Sequence, residues 1–478
     1  MNLFSFEFFA FLGLVVLLRT CIRGAAADKW LLVLASLTFY LTWNAPCVLL
    51  ILFTSLGDYS IGRKIGDTVD PIIRRRWLVL SLFLNIGLLA FFKYTNFFLG
   101  NVSVALNAIG WNVGPLHYDV ILPPAISYFT FASMSYVLDV YYERVPACEK
   151  ARDYTLFVTF FPKLLSGPIT RAREFLPQLR ERVRASVTDI EIAFAYLLQG
   201  AVKKLVVADN IGSHVSLIFA APGNYDGLAL FLGLLGYTVQ MYCDFSGYSD
   251  MAIGFARLLG FRLPENFQMP FSAATITEFW RRWHITLSQW FRDYVFLPLE
   301  IATRSNPRPI LRASCNMMVT MLLCGLWHGA SWNFVVWGGI HGAALGIHKA
   351  WTGWNPLAAL KRRQGYALIG RVFSHLLTLS VVLLGFIFFR AQNFSDAITY
   401  LSRLLVWADD GIAFRSAYIA AAVFGVFVVH LLVDKDRNLA LELPQRTIPL
   451  RVLAYSSLLV MLVLLTTNNA APFLYFQF

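Results

Sequence analysis

Eight histidines stand in this chain, and two of them interrupt segments that would otherwise be apolar or aromatic. His328 lies in LLCGLWHGASWNFVVWGGIHG, residues 322–342, a stretch long and apolar enough to lie in lipid. An ionisable side chain at membrane depth is costly unless it faces protein or a water-filled interior, so His328 is a functional-site hypothesis from the start. Trp327, Gly329 and Ser331 around it point to a close-packed, partly polar cavity. Two readings stand: an imidazole that bonds a neighbouring helix and packs, or a proton acceptor in a reaction site.

His284 lies in TEFWRRWHITLSQWFRDYVFLPL, Thr277 to Leu299. The spacing predicts one helix, with Thr277 as N-cap and Glu278 in the first turn. Trp280, Trp283, Leu287, Trp290, Phe291 and Tyr294 recur at three- and four-residue steps as an apolar stripe. Arg281, Arg282, Ser288 and Arg292 fall on or near the other face, the pattern of an interfacial helix with tryptophans in the membrane. His284 replaces an aliphatic on the stripe and so points into protein. The arginines either snorkel to lipid phosphate or hold an anionic cofactor at the cytoplasmic mouth of a tunnel.

In MYCDFSGYSDMAIG, residues 241–254, Asp244 and Asp250 follow an apolar run and need partners. Arg257, Arg262, Arg281 and Arg282 are the candidates, and structural ion pairing fits better than catalysis. The terminal AAPFLYFQF carries one hydroxyl, Tyr475, among Phe473, Phe476 and Phe478. Such a tail is either an interfacial aromatic anchor or, given a nearby base, an acyl acceptor.

The elements that must position these residues are membrane helices. Hydrophobic residues make up 58% and charged residues 14% of 478, against roughly 25% charged in soluble domains. Mean hydropathy of +0.59 over such a length implies many spans. The net charge of +12 (40 basic less 28 acidic residues) sits in short runs between apolar segments. Arg19/Arg23, Arg74-Arg75-Arg76, Lys203-Lys204 and Lys361-Arg362-Arg363 thus read as cytoplasmic topology markers, not as a nucleic-acid surface. The six cysteines show no paired spacing and read as core residues, with neither a disulfide framework nor a metal site.

Residues 3–18 lack a basic region before them, which predicts a first span with its N-terminus outside rather than a signal peptide. Residues 30–57 predict two helices hinged at Asn44-Ala45-Pro46. Trp77–Phe98 crosses outward, 100–120 is external, and 121–142 returns. From 150 to 330, Pro162, Pro168, Pro264, Pro270 and Pro298 cut the apolar runs, so short re-entrant or in-plane helices around an internal chamber are expected. Spans near 371–390, 416–434 and 450–468 follow. Both termini outside the cytoplasm require an even number of crossings, ten or twelve. The chain shows no internal repeat and no soluble domain.

Together, GLWHGASWNFVVWGGIHG, EFWRRWHITLSQWFRDYVFLPL, YCDFSGYSDMAIG, FFPKLLSGPITRAREFLPQL (residues 160–179) and PFLYFQF resemble the membrane-bound O-acyltransferase family. They are most similar to its bacterial branch that O-acetylates exported polysaccharides such as alginate, over nearly the whole chain. The resemblance implies an all-α polytopic membrane protein of the inner membrane. Its fold would be a ring of tilted transmembrane helices, with short re-entrant or in-plane helices, around a central tunnel. The single domain would comprise N-terminal spans (1–149), a catalytic core (150–349), C-terminal spans (350–469) and a terminal aromatic motif (470–478). His328 matches the family's near-invariant histidine, and His284 an upstream position that is His in this branch and Asn or Asp in others. Tyr475 matches a terminal tyrosine that relays the acyl group to an extracellular transferase, here a partner of SGNH type.

On that reading acetyl-CoA is the donor and no metal takes part. His328 is the general base, and His284 orients the donor or donates to the oxyanion. Arg281, Arg282 and Arg292 face the donor's phosphates. Ser331 and Cys324 are the nearest rival nucleophiles. Two alternatives stay open: D-alanyl transfer to teichoic acids from a carrier-protein thioester, and a non-enzymatic transporter or carrier channel.

Overall fold

The computed structural model of the chain describes every residue except 2, 355–363, 434–435 and 467–478; of 364–368 it describes the backbone alone. Tyr475 with its aromatic motif, and the Lys361-Arg362-Arg363 run, lie outside the described residues. Among the described residues every extended element is a helix, and β pairing is confined to one bridge, Tyr225 to Ile412. Six helices are long and apolar enough to cross a bilayer: Ala45–Asp67, Pro71–Ala108, Gly227–Leu258, Pro309–His328, Ile369–Arg390 and Ile448–Leu465. Ala417–Leu432 is as apolar but shorter. The protein is thus an all-helical, multi-pass membrane protein.

Local chemistry explains several of the boundaries. The hinge expected at Asn44-Ala45-Pro46 separates Ala25–Leu41 from Ala45–Asp67. The Asn44 side chain accepts from the Cys47 N–H at 3.3 Å, and Pro46 occupies the first turn, where its missing N–H costs nothing. The helix expected over Trp77–Phe98 begins earlier, at Pro71 behind the Asp70 cap. It continues through a π-helical turn, Ala90–Tyr94, as far as Ala108.

The chain divides into two compact units, residues 1–194 with 251–264, and 195–250 with 265–478. In the first unit Phe8, Phe39, Phe161 and Phe255 form an aromatic cluster with ring centroids 4.8–6.1 Å from Phe8. Arg19 is buried there. Its guanidinium donates to Asp28 at 2.9 and 2.8 Å and to the carbonyls of Leu259 (2.6 Å) and Val183 (2.7 Å). That corrects the reading of Arg19 as a loop charge: its partners neutralise it inside the protein.

The second unit carries the residues of interest. Residues 322–342 are not one lipid-facing segment. Pro309–His328 ends at His328, and after a short turn Trp332–Trp354 packs back against it. Glycines make that hairpin tight. A Cβ at Gly338 would overlap the Met321 carbonyl oxygen, one at Gly325 the Phe334 carbonyl, and one at Gly342 would lie 3.0 Å from Met318 Cα. With no side chain at these positions the two backbones touch, as in small-residue helix pairs in membranes. The irregularity expected from 150 to 330 is found in the short helices Ala151–Thr159, Phe161–Leu164 and Ala172–Phe175. It does not extend to Gly227–Leu258, which is continuous over 32 residues.

Candidate functional site

The 277–299 segment departs most from its sequence pattern. It is two helices, Ile276–Arg282 and Ile285–Phe291, broken at Trp283-His284 and followed by a π-helical turn, Arg292–Phe296. Thr275, not Thr277, is the N-cap: its hydroxyl accepts from Glu278 N–H at 3.1 Å. Thr277 instead meets His348 Nδ1 at 2.9 Å. Trp280, Trp283, Leu287, Trp290 and Phe291 are buried within the unit, so the stripe is core and not a membrane-facing surface.

The break has a non-local cause. The loop 265–269 runs beside it, and backbone bonds from Ile285 N to Asn266 O and from Gln268 N to Arg282 O, both 2.9 Å, replace the helical ones. His284 takes the left-handed conformation, φ 42°. For a non-glycine residue this costs about 1–3 kcal/mol and persists only where the surroundings over-determine it. Here they do. Asn266 Oδ1 faces His284 Nδ1 at 3.1 Å and accepts from the Thr286 hydroxyl at 2.9 Å and the Thr286 N–H at 3.4 Å. Asn266 Nδ2 donates to Ser249 Oγ at 3.1 Å.

His284 and His328 are brought to the same aromatic box. His284 is 1% exposed and His328 6%. Trp327 touches both, its ring 6.1 Å from the His284 ring and 4.9 Å from that of His328. Phe245 stands edge-on to His284 at 4.7 Å. Trp337 (4.8 Å) and Phe389 (5.1 Å) enclose His328, whose Nε2 lies 4.0 Å from Cys324 Sγ. Two imidazoles in a buried aromatic enclosure, each at a helix end, can move a proton and hold a reacting carbonyl away from bulk water.

The three arginines are not brought together. Arg281 and Arg282 line a depression of about 510 Å³ with Gln268, Thr275, Thr277, Glu278 and His348. Arg282 is already engaged by Glu278 (3.2 Å) and Asp436 (2.9 Å), whereas Arg281 is exposed. Arg292 is absent from that lining and pairs with Asp293 at 2.7 Å.

Asp244 and Asp250 are indeed ion-paired, but with the lysine run and not with the arginines. Lys204 Nζ bridges Asp209 (2.7 Å) and Asp244 (2.5 Å), while Lys203 holds Asp250 at 2.7 Å. Lys203-Lys204 is therefore an ion-paired stretch of helix and not a loop run. Both lysines lie on a π-helical turn, Val202–Ala208. Lys203 and Asp250 border a second cavity of about 930 Å³, together with Tyr242, Glu265, Phe267, Gln268 and His430. Burial pushes the Glu265 carboxyl up to about 7, against the lowering effect of the Tyr196 hydroxyl that donates to it.

Sequence reasoning missed Asn266, His341 and His430. Asn266 sits in an aperiodic loop, so no pattern exposes it. His341 (2% exposed) belongs to the quoted 322–342 segment and packs tilted against Trp337, ring centroids 4.8 Å apart. His430 (2% exposed) is the sole histidine in Ala417–Leu432, which has no Asp, Glu, Lys or Arg, a signal of the same kind as His328.

The profile described as "MBOAT, membrane-bound O-acyltransferase family" matches residues 149–389, which include both histidines. The chain is 36% identical to the probable alginate O-acetylase AlgI of Pseudomonas aeruginosa over 83% of this chain and 72% of that protein. It is 33% identical to the probable alginate O-acetylase AlgI of Pseudomonas putida over 100% and 99% of the two chains. It is also 33% identical to the peptidoglycan O-acetyltransferase of Helicobacter pylori, over 84% of this chain and 78% of that protein.

Proposed function

The chain belongs to the membrane-bound O-acyltransferase family, and from that premise we propose that it moves acetyl groups from cytoplasmic acetyl-CoA across the inner membrane for O-acetylation of an exported, alginate-like polysaccharide. The observation that carries this reading is the pair of buried histidines on either side of Trp327. Acetyl as the group transferred is supported by the relatives, which are named O-acetylases or O-acetyltransferases for two different glycans, alginate and peptidoglycan. D-alanyl transfer has weaker support: the teichoic acid D-alanyltransferase of Streptococcus thermophilus is 31% identical over only 47% of this chain, against 36% over 83% for the probable alginate O-acetylase of Pseudomonas aeruginosa. No observation favours a transporter.

In the proposed reaction the acceptor oxygen attacks the thioester carbonyl, with His328 taking the hydroxyl proton. The new C–O bond forms, the C–S bond breaks, and the proton passes to the departing thiolate. Arg281 meets the donor's phosphates, where a guanidinium fork suits the anion. Arg281→Ala is expected to raise KM for acetyl-CoA about tenfold with kcat little changed, in steady-state assays at low salt. An equal KM would remove Arg281 from the donor site.

The ring of tilted helices, the tunnel and the outward-facing termini belong to this proposal. So does a relay through Tyr475 to an extracytoplasmic SGNH-type transferase. With [¹⁴C]acetyl-CoA, purified wild-type protein should label its own C-terminal tryptic peptide, and Tyr475→Phe should not, at equal protein level and equal donor binding. Labelling that persists in Tyr475→Phe would sink the relay. Turnover of a carrier-protein D-alanyl thioester in preference to acetyl-CoA would sink the acetyl reading.

A further inference from the structure

The hydrogen bonds at the helix break determine which nitrogen of His284 carries the proton. The Thr286 main-chain N–H can only donate, so the Asn266 side-chain atom that faces it is the carbonyl oxygen and not the amide nitrogen. The amide nitrogen turns the other way, to Ser249 Oγ. The same Oδ1 lies 3.1 Å from His284 Nδ1. A carbonyl oxygen cannot donate, so Nδ1 supplies the hydrogen. In a neutral imidazole that leaves Nε2 with its lone pair. Asn266 is 1% exposed and is itself fixed by three groups besides the histidine: Thr286 N–H, Thr286 Oγ1 and Ser249 Oγ.

We propose that Asn266 is a positioning residue that locks His284 as the Nδ1–H tautomer, making His284 a proton acceptor in acyl transfer and not an oxyanion donor. This rests on the acetyl-transfer reading and replaces the role expected for the second histidine from the sequence, that of orienting the donor or donating to the oxyanion. A neutral Nδ1–H imidazole presents no N–H at Nε2, so it has nothing to offer a developing oxyanion. It can take the hydrogen of a hydroxyl or thiol. The left-handed backbone at His284 serves the same end: it turns the ring toward Asn266 on one side and Trp327 on the other. The two buried imidazoles would then share one task, receiving the acceptor's proton and passing it on toward the thiolate. The oxyanion must be held by other donors.

The decisive measurement reads the tautomer without reading activity. Full-length protein labelled with [¹⁵N]histidine, in nanodiscs, gives ring nitrogen signals, and those of His284 are the ones missing from His284→Gln. A protonated Nδ1 and a bare Nε2 are expected; a protonated Nε2 in the neutral ring overturns the proposal. The second arm is a pH profile of kcat. Asn266→Asp keeps an acceptor opposite Nδ1–H, and its carboxylate favours the charged imidazole. An acceptor that must start neutral then loses activity at higher pH than in wild type, so the acidic limb should move up by about one pH unit or more. An unmoved limb in a variant with normal KM overturns the role. Asn266→Leu, which removes the acceptor, should lower kcat about tenfold at unchanged KM for acetyl-CoA. If the wild-type ring shows Nδ1–H but the protein transfers no acetyl group, the acetyl-transfer reading fails while the tautomer assignment stands.

Discussion

Replacing His328 with alanine should lower acetyl transfer by roughly 10²–10⁴-fold, the contribution of a positioned general base. The loss should fall on kcat, because Arg281, the residue proposed to meet the donor's phosphates, lines a depression whose lining does not include His328. Single-turnover transfer from labelled acetyl-CoA by purified protein is the measurement, with donor binding measured alongside. The ring also packs against Trp327, Trp337 and Phe389, so alanine leaves a void as well as removing a base. His328→Gln separates the two effects. It fills much of the space and keeps hydrogen-bonding capacity, but it cannot accept a proton at neutral pH. Equal losses in both variants identify proton transfer; a rate equal to wild type in either variant would place the base elsewhere.

Gly338→Val should be the most damaging change outside the aromatic box. A side chain at Gly338 overlaps the Met321 carbonyl oxygen and comes within 3.1 Å of Leu322 Cα. Both obstacles are backbone, which cannot swing aside as a side-chain tip would. The two helices must therefore part, and overpacking of this kind costs about 1–3 kcal/mol or more. The separation is transmitted to the end of Pro309–His328, where the imidazole sits. We expect a lower melting temperature and a lost monodisperse peak in fluorescence-detected chromatography, with acetyl transfer falling further than stability alone accounts for. Gly339→Ala is the internal control, since its nearest non-local atom, Leu322 Cδ2, is 3.9 Å away. Equal stability of Gly338→Val and wild type would show that the hairpin is looser than its geometry indicates.

The fold class was legible because membrane helices are written locally. An apolar run of sufficient length and a proline or asparagine at its start are properties of neighbouring residues, which is why the Asn44-Pro46 hinge and the last three apolar helices were foreseeable. The 277–299 segment misled for the same reason. Its three- and four-residue spacing satisfies one helix, and nothing within it reveals that residues 265–269 will take over its backbone bonds. Basic runs misled in another way. Lys203 and Lys204 look like a cytoplasmic loop until Asp250, Asp209 and Asp244, some far off in sequence, close around them.

The sequence by itself determined that this is a multi-pass helical membrane protein, that His328 and His284 are costly to bury without a purpose, and which family its motifs resemble. Residue type and spacing carry that much, because the bilayer penalises polar groups wherever they occur along the chain. Tertiary structure alone decided that the two histidines share Trp327, that Arg281 and Arg282 part company from Arg292, and that Asn266 governs the His284 ring. Those facts depend on hydrogen bonds and ring contacts between segments distant in sequence, formed only when the helices pack. A pattern read along one chain segment has no access to them.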